Sequence, residues 1–204
     1  MQKLERNLAG SSTIAIAEIL EEIDRAAGSN ARVLISGSAT IRKELIARRI
    51  HEQSARCVGP FVPMTCAGVR SDLLGSLFFG RSDGQSIGAH RDTMGWLERA
   101  NRGTLFIDEI GDLDSRLQEA LLTFVETGEV RRGASRPDLT TDVRIIAASS
   151  RALHNEVIAG RFNAALFYRL NTIHIVVPEH HRHDEDVSHR SDMQLGFRLE
   201  LDAS

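Results

Sequence analysis

The sequence predicts a three-layer α/β domain built on a mainly parallel sheet of five strands. Short apolar runs suited to strands recur at 31–36, 60–66, 103–108, 142–148 and 172–177. Segments with helical spacing lie between them, and Gly, Ser and Asn punctuate the changes from one to the other. Strands alternating with helices give a parallel sheet covered on both faces. In such sheets ligands bind beyond the carboxyl ends of the strands.

The elements follow in order. Ser12 can cap a first helix whose apolar face is Ile16, Ile19, Leu20, Ile23 and Ala27, and Gly28-Ser29-Asn30 ends it. The run 31–36 reads as a buried strand and 42–53 as a helix. The run 60–66 contains two prolines, which places it at a sheet edge. Helices are expected at 70–78 and 93–101, with a Gly- and Ser-containing loop at 79–92. A helix at 114–127 carries Leu117, Ala120, Leu121 and Phe124 on one face. Residues 129–149 read as a short hairpin leading into a long strand. Two helical segments and the strand 172–177 complete the core, assigned to 1–187. In the tail, 188–204, apolar residues from Met193 to Leu201 alternate with the period of a strand.

Bulk properties narrow the function classes. The chain has 204 residues, 42% hydrophobic and 26% charged, the balance of a soluble globule. A net charge of −3 supplies no general attraction to nucleic acid or anionic membrane. Cys57 and Cys66 are too few for a disulfide framework or a zinc site. The charged N-terminus lacks the apolar core of a secretory signal, and no stretch is long enough to span a bilayer. A cytoplasmic protein without a membrane partner is expected.

Two motifs carry chemistry. The first strand runs into Gly37, Ser38, Ala39, Thr40, Ile41, Arg42, Lys43 and Glu44, followed by a helix. That is where a phosphate-binding loop belongs, with glycines for positive φ and close approach of amides to phosphate. Only Gly37 and Lys43 of the generic pattern are present, and Arg42 in place of glycine is expected to strain the turn and intrude on the phosphates. Taken alone, the segment is a weak signal and reads better as an ordinary strand-to-helix turn with a surface lysine. The strand 103–108 ends in Asp108-Glu109, a pair suited to metal-assisted phosphoryl transfer: Asp108 on Mg²⁺, Glu109 on the attacking water. Acids also follow strands as plain turn residues. Both motifs in order within one βαβ domain favour the phosphoryl-transfer reading.

From about Leu8 to about Val187 the chain resembles the AAA+ domain of NtrC-type sigma-54-dependent transcription activators. The most specific segments are LIARRIH (45–51), PFVPMTCAGV (60–69), RGTLFIDEIGDL (102–113), DVRIIAAS (142–149) and LFYRLN (166–171). The resemblance implies a P-loop AAA+ core that binds ATP and Mg²⁺ between subunits of a ring, as a homo- or hetero-oligomer. It implies sigma-54 RNA polymerase, or a related AAA+ activator, as partner. It places Ala9 and Gly10 beside the adenine, Lys43 on phosphate, and Asp108 and Glu109 as the Walker B pair. Ser150 takes the place of the polar sensor, and Arg169 that of an arginine acting across the subunit boundary.

Several positions depart from the family pattern. Thr40 and Arg42 stand where it has glycines, a degenerate Walker A loop. The polymerase-contacting loop, GAFTGA in the family, is Gly84, Gln85, Ser86, Ile87, Gly88 and Ala89. The sensor asparagine is Ser150, and the first of two arginines is Asn163. Neither a lid subdomain nor a DNA-binding domain is read in the tail. These departures imply impaired hydrolysis and polymerase remodelling. The alternatives are a pseudo-ATPase that modulates a related ring, or a relic without function. His180, His181, His183 and His189 match no defined metal spacing, and His174 is expected to need no role.

Overall fold

A computed structural model describes residues 13–80, 93–130 and 139–178. Ala9, Gly10, the 84–89 segment, the histidine-rich stretch and the 188–204 tail lie outside the described residues. The strands are β1 (Val33–Ser36), β2 (Phe61–Thr65), β3 (Thr104–Asp108), the short β4 (Glu129–Val130) and β5 (Leu139–Thr140), β6 (Arg144–Ser149) and β7 (Ile173–Val176). Five of them form one sheet in the order β2-β3-β6-β1-β7, with every pair parallel. The expected fold class is thus observed. The expected hairpin is the antiparallel pair β4–β5.

The helices are α1 (Thr13–Ala27), α2 (Lys43–Glu52), α3 (Ser71–Phe79), α4 (Trp96–Arg99), α5 (Ser115–Thr127), α6 (Leu153–Ile158) and α7 (Ala164–Leu170). A 3-10 turn, Ile110–Asp112, follows β3. Side chains alternate across a strand, so one sequence feeds two cores. Leu105 and Ile107 pack with Leu74, Phe78, Leu121, Phe124, Leu153 and Leu166 on one face. Phe106 packs with Ile23, Ile46, Ile50 and Ile146 on the other. Those two clusters are the outer seams of the three layers. Among the described residues no helix is long and apolar enough to cross a membrane.

The proline-containing strand β2 is an edge strand, as expected. The Cys66 amide donates to the Asp108 carbonyl and the Thr104 amide to the Pro60 carbonyl. Amides alternate in direction along a strand, so the position that proline leaves without a donor, Pro63, faces the free edge.

The expected helix 93–101 is shorter, Trp96–Arg99. Gly95 is extended at ψ 166° and lies against the α3 terminus, where a Cβ would meet the Phe78 carbonyl oxygen at 2.4 Å. The chain is thus held extended before α4.

A few buried polar side chains join the layers. Arg144 donates through Nη2 to the Ala26 carbonyl (2.7 Å) and through Nε to the Ala31 carbonyl (3.1 Å). A cation at a helix C-terminus satisfies carbonyls that have no partner within the helix. Gln118 donates to the Leu113 and Arg161 carbonyls and accepts from the Asn163 amide, pinning α5 to the entry of α7.

His51 is buried on α2, with Nδ1 at 2.9 Å from the Thr104 hydroxyl. Burial holds its pKa below the ordinary histidine value, despite the opposing effect of Glu52. The unfolded chain therefore takes up this proton first as pH falls. Stability contributed by neutral His51 is complete above about pH 6.5 and declines below it. Urea unfolding measured from pH 7.5 to 5 should show a smaller loss of stability in His51→Gln than in the native chain.

Candidate functional site

Three neighbouring strand ends converge, those of β1, β6 and β3. After β1 the Gly37 amide donates to the Ser149 carbonyl at 3.3 Å, continuing the sheet by one bond. Only glycine fits there, because a Cβ would lie 2.9 Å from the Val177 carbonyl oxygen. The chain then folds tightly. The Ile41 amide donates to the Ser38 carbonyl (3.1 Å), and the Lys43 amide donates to the Ile41 carbonyl (2.9 Å). Arg42 lies between these last two at φ −78°, ψ 76°, the geometry of an inverse γ-turn.

This corrects the expectation of strain. Among the described non-glycine residues only Arg102 and Glu109 have positive φ, so Arg42 is not forced into a glycine conformation. The loop adopts a backbone open to any L-residue, and it uses two amides internally in doing so. The Arg42 side chain is exposed, and Thr40 donates to the Ser38 hydroxyl. Ile41 is buried in the core cluster beneath β1, so its side chain faces away from any ligand.

Lys43 opens α2 and is only 2% exposed. Its ammonium lies 3.4 Å from the Gly37 and Ser38 carbonyl oxygens and 3.2 Å from Glu109 Oε1. Glu44, one residue on, turns outward to pair with Arg48 one helical turn later.

Glu109 reaches Lys43 because its backbone is left-handed, φ 50° and ψ 50°, which turns the chain sharply after β3. Such a conformation is disfavoured for glutamate and persists only when its surroundings hold it. Here the holder is Ser150: its amide (3.0 Å) and its hydroxyl (2.8 Å) both donate to Glu109 Oε2. Burial would raise the Glu109 pKa. The Ser150 hydrogen bonds and Lys43 outweigh it and hold the carboxyl below the ordinary range.

Its neighbour behaves oppositely. Asp108 accepts the Glu109 amide at 3.1 Å, yet burial raises its pKa more than Lys43 lowers it. A half-buried carboxylate short of positive charge suits a divalent cation. Mg²⁺ needs only one or two protein carboxylates when phosphates supply the rest. Cys66, beside this pair in the core, is pushed up to about 12 by burial and then by Asp108 and Glu109, so its thiol is inert.

The structure brings together Gly37, Ser38, Lys43, Asp108, Glu109 and Ser150, but not Arg169. Arg169 lies on α7 and pairs with Glu126 at 3.1 Å. Asn163 caps α7, its Oδ1 accepting the Leu166 amide at 3.0 Å. Arg161 is paired with Glu156. One neighbour of the loop escaped the sequence reading. His174, expected to need no role, lies 2.8 Å through Nε2 from the Ser36 hydroxyl, just before Gly37. No signal announces a contact between residues so far apart in the chain.

Comparison with known proteins gives this geometry a context. A family profile described as Sigma-54 interaction domain matches residues 9–176. The anaerobic nitric oxide reductase transcription regulator NorR of Salmonella heidelberg (strain SL476) is 40% identical over 183 residues, covering 90% of this chain and 36% of that protein. The transcriptional regulatory protein ZraR of Escherichia coli (strain K12) is 43% identical over 173 residues, covering 85% and 39%. The chain therefore spans well under half the length of these relatives. The crystal structure of NtrX from Brucella abortus in complex with ATP superposes with a TM-score of 0.75 at 30% identity, covering 82% of this chain and 38% of that one.

The Asn163 cap has a measurable consequence. Asn163→Ala should lower the unfolding free energy by about 1 kcal/mol, while Asn163→Asp, which also caps, should stay close to the native value. Urea titration at neutral pH checks both.

Proposed function

The chain belongs to the sigma-54 interaction domain family, and from that premise we propose that it is the ATP-binding core of a bacterial transcription regulator, with weak nucleotide affinity and hydrolysis near background. The observation that carries this reading is the state of Lys43. It has the position of a phosphate-binding lysine, at a strand-to-helix turn. Its ammonium is already engaged by two loop carbonyls and by Glu109, and two loop amides are consumed by the turn at Ser38–Lys43. A nucleotide has to displace these contacts before the loop can cradle phosphate.

In this reading Asp108 holds Mg²⁺, which when bound neutralises phosphate charge. Glu109 orients the attacking water once it has left Lys43. While held there with a depressed pKa it is a poor proton acceptor. Arg169, solvent-facing on α7, acts on the nucleotide of a neighbouring subunit, and sigma-54 polymerase is the partner of the 84–89 segment. Asn163 has no charge to offer a transition state.

Calorimetric titration with Mg²⁺–ATP tests the proposal, with Asp108→Ala and an Mg²⁺-free run as controls. Weak heat that depends on Asp108 and Mg²⁺ is the expected result. Arg42→Gly should tighten binding by letting the loop reach positive φ. Steady turnover of about 1 s⁻¹ or faster by the native chain would overturn it.

Asn163 favours a second role for the same core, that of a regulatory subunit. A protomer that retains Arg169 but presents Asn163 gives its neighbour an incomplete set of cations. Added in excess to an active related ATPase, it should lower the activity per ring. Unchanged activity rejects that role.

A further inference from the structure

We propose that Ser150 is a positioning residue that latches the Glu109 carboxylate onto the Lys43 ammonium, so that the chain's own carboxylate takes the place on Lys43 of a nucleotide's terminal phosphate. This rests on the nucleotide-binding reading and names how that site is regulated.

The latch joins two segments that the sequence keeps 41 residues apart, and it is fastened at more than one point. Ser150 gives both of its donors to one oxygen, Oε2, while Lys43 takes the other, Oε1. The turn that presents Ser150 is braced from within: the Ser149 hydroxyl donates to the Arg151 carbonyl (2.8 Å) and accepts the Arg151 amide (3.1 Å). An ion pair between Arg151 and Asp112 ties that turn to the 3-10 turn following Glu109. The left-handed backbone at Glu109 completes the arrangement by pointing the carboxylate back across the strand ends.

Serine is short enough for its hydroxyl and its own amide to meet one carboxylate oxygen. The residue that stands where the family has its polar sensor thus serves in this chain to satisfy Glu109. Binding of a triphosphate competes with an internal anion, and loss of either Ser150 donor weakens the competitor.

The chain has two lysines, Lys3 and Lys43, so Lys3 is a built-in reference for chemical labelling. The Glu109 carboxylate closes the last open side of the Lys43 amine, beside the two loop carbonyls, and so keeps an acylating reagent from it. The protein without nucleotide is treated with an acylating reagent, and the Lys43-to-Lys3 labelling ratio is read by mass spectrometry. Ser150→Ala and Glu109→Gln should each raise the ratio about fivefold, and the double variant no further, because both act through one contact. Ser150→Thr, which keeps the hydroxyl, should match the native ratio. Urea midpoints establish that each variant is folded, and Ser150→Gly replaces Ser150→Ala if that variant is not.

Mg²⁺–ATP titration of the same proteins should show Ser150→Ala binding about tenfold tighter than the native chain. An unchanged labelling ratio in folded Ser150→Ala overturns the latch, whatever ATP does. A raised ratio with no ATP binding in any variant upholds the latch and removes the nucleotide reading beneath it.

Discussion

A buried ammonium must have acceptors, and the upper edge of this sheet is organised by that requirement. Lys43 is almost wholly withdrawn from water. An unpaired charge there would cost several kcal/mol. Two carbonyls of the preceding loop turn toward it, which fixes the loop's curvature, and a carboxylate from the adjoining strand end closes the third side. The Glu109 backbone, the Ser150 turn and the inward fold of residues 37–42 together place the acceptors that this one cation needs.

The same rule operates elsewhere in the molecule. Arg144 and Gln118 are buried polar side chains that satisfy carbonyls left open at helix ends and loop entries. They tie layers together where apolar packing is non-directional. The hydrophobic seams give cohesion, and these few hydrogen bonds fix which helix end meets which strand.

The sheet was legible because its signal is local. Strand after strand is a short apolar run, and the parallel arrangement follows from the helices between them. Pro63 marked its strand as an edge because a missing donor is a local fact. The candidate site was legible in part: Gly37, Lys43, Asp108 and Glu109 stand where spacing puts them. What Ser150 does was not legible, because its partner is on another strand and the contact depends on a left-handed turn at a glutamate. The strain expected at Arg42 failed for a related reason. Glycine is required in the conformation that wraps phosphate, and the chain here occupies a different one. Asn163 was read as a lost arginine. The structure shows a helix cap, a role that needs its neighbours' backbone to be seen.

The proline on the outer edge of β2 has a consequence for the molecule in a crowded cell. The exposed rim of a sheet is a template on which foreign strands can grow. At Pro63 that rim lacks a donor in its middle, and an incoming strand would have to leave one of its own carbonyls unpaired. Sheet-to-sheet polymerisation is thereby discouraged on this side, at a position that touches neither the lysine nor the carboxylates.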